Sequence, residues 1–139
     1  MWIDYIENDN YIGNLYNYKT PKIDDVIIEE VVIETNEYIQ LLLRFEISQM
    51  PDEMPTEWKE ENYDRFIIVL MLKYANIKSI FINGNNFRNV NIDISEINHG
   101  LKRIIGKNKL GELIFEFEAK NIFIDNILGY NYEDSLTII

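Results

Sequence analysis

Apolar positions follow helical spacing at the start of the chain and a period of two afterwards. Trp2, Tyr5 and Ile6, then Ile12, Leu15 and Tyr16, recur at i, i+3 and i+4, which predicts one or two short helical turns within residues 2–18. Asn8-Asp9-Asn10 interrupts them, with Asp9 placed to cap the second. From Ile23 the period becomes two. Val26 and Ile28 share one parity, Val31 and Ile33 the other, so a bulge near Glu29-Glu30 is needed to keep one continuous apolar face. Thr35-Asn36-Glu37 reads as a hairpin loop. Ile39, Leu41, Leu43, Phe45 and Ile47 then alternate with mostly polar residues, as in a strand with one wet face.

Pro51 and Pro55 interrupt this regime and predict a loop over 50–63, with a helical turn after Pro55. The run Phe66 to Leu72 is apolar on both parities and predicts a central strand, followed by a strand over 77–83. Gly84 opens a loop. Val90, Ile92 and Ile94 alternate with Asn91, Asp93 and Ser95. Asn98-His99-Gly100 is a turn signal before a strand over 101–105, and residues 107–111 form another loop. Leu113, Phe115 and Phe117 alternate with glutamates, and Lys120-Asn121 reads as a two-residue turn into Ile122-Phe123-Ile124. The tail from Leu128 has no clear pattern. Short strands joined by turn residues predict a mainly β, α+β fold. Its expected form is an antiparallel curved sheet, a sandwich or a half-barrel of about seven or eight strands, with one or two short N-terminal helices covering a face or an edge.

The chain's 139 residues fit a single domain over 1–139. A hydrophobic content of 47% is enough for a packed core and argues against disorder. The longest clean apolar run, 66–72, is far short of the ~20 residues of a membrane-spanning helix. With no cysteine, disulfides, thiolate metal sites and a Cys nucleophile are excluded, and a reducing cytoplasm is the expected location. The first seven residues carry acids where a secretory signal would carry bases.

Charge is distributed unevenly. Residues 1–62 hold fifteen Asp or Glu against four Lys or Arg, and residues 63–139 hold nine of each, so the whole net charge of −11 lies in the first part. Such a chain repels phosphate, which disfavours nucleic acid and anionic membrane and favours a basic protein partner.

Catalytic and metal chemistry find little support. The one histidine, His99, sits in a turn signal, and its distance from Ser95 and Asp93 along a strand does not make the three converge. No G-x-S-x-G elbow and no phosphate-cradling glycine loop is present. Without cysteine and with one histidine, metal ligands are restricted to carboxylates, and neither Asn8-Asp9-Asn10 nor Asn91-Ile92-Asp93 fits an EF-hand. No cofactor is expected. Neighbouring acids such as Asp24/Asp25, Glu29/Glu30 and Glu60/Glu61 point to opposite faces of a regular strand, which argues against catalytic dyads.

The densest acidic stretch runs from Asp52 to Glu61. Read plainly, it is a solvated loop in which Trp58 folds back to cover core. Read functionally, Asp52, Glu53, Glu57, Glu60 and Glu61 form a docking patch that steers a basic partner, with Trp58, Met54 and Tyr63 adding apolar contact.

Several motifs resemble a known family. Trp2, Tyr5-Ile6-Glu7-Asn8, Leu15-Tyr16 and Pro21-Lys22-Ile23-Asp24-Asp25-Val26 are followed by Leu43-Arg44-Phe45, then Pro51-Asp52-Glu53, Pro55-Thr56-Glu57-Trp58 and Ile82-Asn83-Gly84. In order and spacing, over residues 2–95, they resemble the immunity protein 50 family of bacterial polymorphic-toxin systems. Lys22-Ile23 stands where that family has Ser-Leu, and Glu57 where a lysine is more usual. The resemblance implies that Trp2, Pro21, Pro51, Pro55, Trp58 and Gly84 maintain the fold. It also implies a protein that is not an enzyme, acting in the cytoplasm of the toxin-producing cell by binding a cognate toxin. The acidic half suggests that the toxin is basic, as a nuclease would be. The rival expectations are a carboxylate-dependent hydrolase, marked by two converging acids in a deep pocket, and a domain that self-associates through a strand edge.

Overall fold

The computed structural model of the chain describes residues 1–8, 10–16, 19–47, 55–84 and 87–131. A 3-10 turn, Trp2–Tyr5, precedes helix α1, Asn10–Leu15. Strands β1 (Ile27–Thr35) and β2 (Ile39–Ile47) follow, then helix α2 (Thr56–Glu60). Strands β3 (Arg65–Ile80), β4 (Asn91–Asn98), β5 (Leu101–Lys107) and β6 (Leu113–Tyr130) complete the order. No helix among the described residues is long and apolar enough to cross a membrane.

The strands form one antiparallel open sheet in the order β1-β2-β3-β6-β5-β4. The mainly β architecture with short N-terminal helices is as expected. The strand number is six, not seven or eight, because two expected breaks do not exist. The run 66–72 continues past residue 76 into the expected next strand, making β3 sixteen residues long and ending it at Ile80. Lys120-Asn121 is not a turn and lies inside the eighteen-residue β6.

Both false breaks have one cause. In β6, Ile122 and Ile124 are buried, and so are Ala119, Phe117 and Phe115, which have the opposite parity. In β3, Leu72 and Ala75 are both buried although three residues apart. The strands are paired directly across this level, Lys73 with Asn121 and Ala75 with Ala119. The buried side of the sheet therefore changes from one face to the other without a break in the ladder. Tyr74, at φ 52°, takes up the change in β3 and is half exposed, stacked on Tyr38 at 4.2 Å between ring centroids. Period-two reading takes a parity jump for a strand end, since alternation is its sole signal.

The sheet thus has two parts joined through β3 and β6. Residues 65–72 of β3 and 122–130 of β6 sit with β1 and β2, and the remainder of each sits with β5 and β4. Both parts and the N-terminal segment contribute to one core cluster, including Trp2, Ile6, Ile12, Leu15, Tyr16, Phe45, Phe66, Phe115 and Phe117. The N-terminal segment is fixed by specific polar contacts. Trp2 Nε1 donates to the Pro21 carbonyl at 2.7 Å. The Asn8 amide grips Ile124 at both backbone groups, donating to its carbonyl at 2.9 Å and accepting from its N–H at 2.7 Å, beside the bond from Glu7 N to Ile122 O. These contacts satisfy backbone groups of β6 beyond the reach of β5.

The outer strands approach each other just before they begin. Val26 and Val90, both fully buried, form an isolated antiparallel bridge with reciprocal bonds of 2.9 and 3.0 Å, and Ile28 N bonds to Phe87 O at 2.9 Å. The bulge expected at Glu29-Glu30 is present. Ile28 pairs with Phe45 and Glu30 with Arg44, leaving Glu29 as the extra residue. It brings Val31, opposite Leu43, onto the side of Ile28.

Close packing in the second part rests on Gly106. A Cβ there would lie 2.2 Å from the ring of Phe115, which is itself fully buried and stacked on Phe117. Gly106→Ala is therefore expected to destabilise the fold by about 1–3 kcal/mol, since the ring has no space to yield. A chemical-denaturation midpoint equal to that of the unmodified chain would contradict this packing.

Candidate functional site

The β1 bulge opens onto a broad groove whose walls come from β1, β2, β3, the end of β6 and Ile82, Phe87 and Arg88. Its polar side chains are Glu29 and Glu30 of β1, Arg44 and Glu46 of β2, Arg65 of β3, Tyr130 of β6 and Arg88; its apolar ones include Ile27, Ile67, Ile80, Ile82 and Phe87. Adjacent acids were expected on opposite faces, but Glu29 and Glu30 both line the groove. The reason is the inserted residue, which suspends alternation at that point.

Glu46 is the centre of this cluster. It sits opposite Ile27 and Ile67 in the two ladders, and its side chain is only 12% exposed. One carboxylate oxygen accepts the Tyr130 hydroxyl at 2.9 Å, and the other lies 3.3 Å from Arg65 Nε. Arg65 and Tyr130 are themselves paired across β3 and β6, so the ladder fixes both partners of Glu46. Loss of solvation, the bond to Glu46 and the nearby carboxylates raise the Tyr130 hydroxyl above its ordinary range, with Arg65 opposing. Tyr130 therefore stays a donor at all physiological pH values.

Glu29 is exposed and lines the same groove as Glu46. Its carboxyl is raised above the ordinary 4.5, first by partial burial and then by the bond to and the charge of Glu46, while Arg44 and Arg88 pull the other way. Two carboxyls in such contact are eased by a shared proton or by a cation between them. Chemically the arrangement is a polarised acceptor site: a fixed carboxylate, a second carboxyl that can change charge, and a hydroxyl held in the donor role.

The residues expected at a site fall elsewhere. Asp52 and Glu53 lie outside the described residues, as do Pro51, Met54 and the proposed cap Asp9. Glu57 is in α2, and Glu60 and Glu61 are exposed at and just after its end. Tyr63, two residues on, reaches the groove wall. Pro55 starts α2, accepting backbone bonds from Trp58 at 3.0 Å and Lys59 at 3.2 Å. Trp58 is partly buried against the core, 5.1 Å from Phe66 between ring centroids, and its ring would meet a Cβ on Gly129 at 3.0 Å. Trp2 and Pro21 bond to each other, as described above, and Gly84 occupies a turn at φ 49°. His99 is an exposed turn residue at φ 43°. No three His, Asp or Glu side chains among the described residues are grouped to hold a metal ion.

Glu46 and Tyr130 carry no mark of a site in the sequence. Glu46 stands on the wet parity of β2 like any solvated acid, and Tyr130 lies in the tail without visible period. The one signal available was Glu29, placed at an expected bulge.

The raised Glu29 carboxyl gives a pH dependence with a definite sign. The native state holds its proton more tightly than the unfolded chain, so this group lowers native stability as pH rises from 4.5 through the raised value. Glu29→Gln is expected to flatten that part of the stability curve and to raise Tm at neutral pH by on the order of a degree or two. A pH–Tm profile unchanged by the substitution would contradict the contact with Glu46.

A family model, immunity protein 50, matches residues 8–130. The match begins after Trp2, runs past residue 95, where the legible motifs end, and takes in all six strands, the β1 bulge and both partners of Glu46. No curated protein and no solved structure matches the chain. With the model covering most of its length, this acidic six-stranded chain belongs to the immunity protein 50 family.

Proposed function

We propose that the chain binds a cognate toxin of a bacterial polymorphic-toxin system and neutralises it by direct contact, without turnover. Membership of the family over residues 8–130 is the observation that carries this reading. The place of action would be the cytoplasm of the toxin-producing cell. The partner is proposed to be a basic protein, such as a nuclease domain, because a net charge of −11 attracts cationic surfaces and repels nucleic acid and anionic membrane. Asp52, Glu53, Glu57, Glu60 and Glu61 are proposed to steer its approach, acting on the association rate more than on dissociation.

The decisive experiment is co-expression with the toxin domain encoded beside this chain's gene. Cells should survive when the chain is present in at least equal amount, and the two proteins should co-purify. Affinity should fall as salt is raised, because exposed charges are screened beyond a Debye length of about 8 Å at physiological ionic strength. Neutralising the five acids should slow association by about tenfold, within the range that electrostatic steering supplies. A salt-independent Kd would remove the basic-partner part of the reading, and survival without binding would remove all of it.

The contact between Glu29 and Glu46 favours a second reading, a carboxylate-dependent hydrolase. The two readings differ in stoichiometry. A binder protects one toxin molecule per chain, whereas an enzyme protects in substoichiometric amount and loses that ability on Glu46→Gln. Protection that tracks a one-to-one titration end point excludes the hydrolase.

A further inference from the structure

We propose that the outer edge of β1, residues 31–35, takes up an extended strand of the toxin by backbone pairing, and that this strand carries lysine or arginine beside its apolar positions. This rests on the toxin-binding reading above and adds the surface and the mode of contact.

The first support is the backbone. β1 is terminal in the sheet, and its register with β2 fixes which of its groups face outward. Ile28, opposite Phe45, turns its N–H away from β2 and donates it to Phe87 O at 2.9 Å. Antiparallel pairs alternate between hydrogen-bonded and non-hydrogen-bonded. Along β2 from Phe45, the residues opposite Leu43, Leu41 and Ile39 therefore face outward as Ile28 does, and these are Val31, Ile33 and Thr35. Phe87 and Val90 already bond to this edge at Ile28 and Val26, so the fold accommodates a strand in that position. Among the described residues, no backbone group bonds to Val31, Ile33 or Thr35 from outside the sheet. The opposite edge, β4, is covered at its start. Ile92 N bonds to Ile23 O at 2.9 Å, Asn91 Oδ1 accepts from Asp25 N at 2.8 Å, and the 3-10 turn lies against the strand.

The second support is the side chains. Native proteins protect open edges with lysine, proline or a bulge. Here the bulge lies at Glu29, before the open stretch, and residues 30–35 hold neither lysine nor proline but the β-branched run Val31-Val32-Ile33, with Ile33 46% exposed. Charge then selects the occupant. Residues 23–43 carry Asp24, Asp25, Glu29, Glu30, Glu34 and Glu37 and no lysine or arginine. Arg44 is cross-strand from Glu30, and Arg88 acts on Glu29. Glu34 instead accepts from the neutral Gln40 amide at 3.2 Å, and among the described residues neither it nor Glu37 is in an ion pair. Lys73 and Lys120 belong to β3 and β6, on the far side of β2. A second copy pairing antiparallel through the same edge, centred on Val32 or Ile33, would set Glu30 of one chain opposite or diagonal to Glu34 of the other. Like charges so placed are destabilising, whereas a strand bearing lysine or arginine meets the same glutamates favourably. Backbone pairing supplies the hold and the glutamates the selectivity, as in other cases of strand addition to a sheet edge.

The test is amide hydrogen exchange of the full chain, free and bound to the same toxin domain, together with binding by two variants, Ile33→Pro and Glu34→Gln/Glu37→Gln. The amides of Val31, Ile33 and Thr35 should exchange fast in the free chain and slow by on the order of a hundredfold in the complex. Ile33→Pro removes one outward donor and leaves the ladder to β2 intact, so its complex should dissociate faster by about tenfold. The glutamate variant should bind several-fold more weakly, by a margin that shrinks as salt is raised. If circular dichroism shows that Ile33→Pro does not fold, exchange in the wild-type chain carries the test. Outward amides that exchange as fast in the complex as in the free chain, with wild-type binding intact, overturn the edge and leave the toxin-binding reading standing. An unchanged affinity of the glutamate variant overturns the basic character of the added strand. Protection of these amides in the free chain that grows with its concentration assigns the edge to a second copy and also overturns the proposal. If the wild-type chain does not bind that domain, both readings fall together.

Discussion

The pairing of β3 with β6 is the contact on which the other elements depend. These are the two longest strands and lie at the centre of the sheet, with β2 and then β1 on one side and β5 and then β4 on the other. Their ladder continues while the buried side changes face at Tyr74 and Lys120. That change lets one continuous sheet bury one face in the part with β1 and β2 and the other in the part with β5 and β4. The Val26–Val90 bridge then ties the outer strands together. Without the parity change, Ala75, Ala119, Phe117 and Phe115 would lie on the wet face of a single flat sheet, a poor exchange for any domain of this size.

The groove follows from the same geometry. The β3–β6 register sets Arg65 against Tyr130, and the β2–β3 register puts Glu46 next to them. The bulge in β1 then turns Glu29 toward Glu46, where regular alternation would have separated Glu29 and Glu30. None of these residues is unusual alone. Partly shielded from water, they form a linked set in which the charge of one sets the protonation of another.

Much of the fold was legible because period-two alternation reports a strand wherever one face is wet. β2, β4 and the start of β6 show it directly, and the β1 bulge was visible as a parity mismatch between Ile28 and Val31. The same signal misled at 73–76 and 120–121, where a parity jump inside a continuous ladder looks like a strand end. The candidate site was harder to read. Total charge pointed to the acidic stretch 52–61, since charge density is visible along a chain. Convergence in space is not, and Glu46 and Tyr130 are eighty-four residues apart. Of the motif residues, Pro21 accepts a bond from Trp2, which lies outside the matched residues 8–130, and Trp58 packs at the core. They report the frame around the groove better than the groove itself.

A map of the toxin contact on this chain tests the central claim most directly. Backbone amide NMR of the labelled chain, recorded with and without the unlabelled toxin domain, gives such a map. The toxin-binding reading predicts shift changes at one contiguous patch of the surface that saturate at one toxin domain per chain. A spectrum unchanged by an excess of the toxin domain would contradict it.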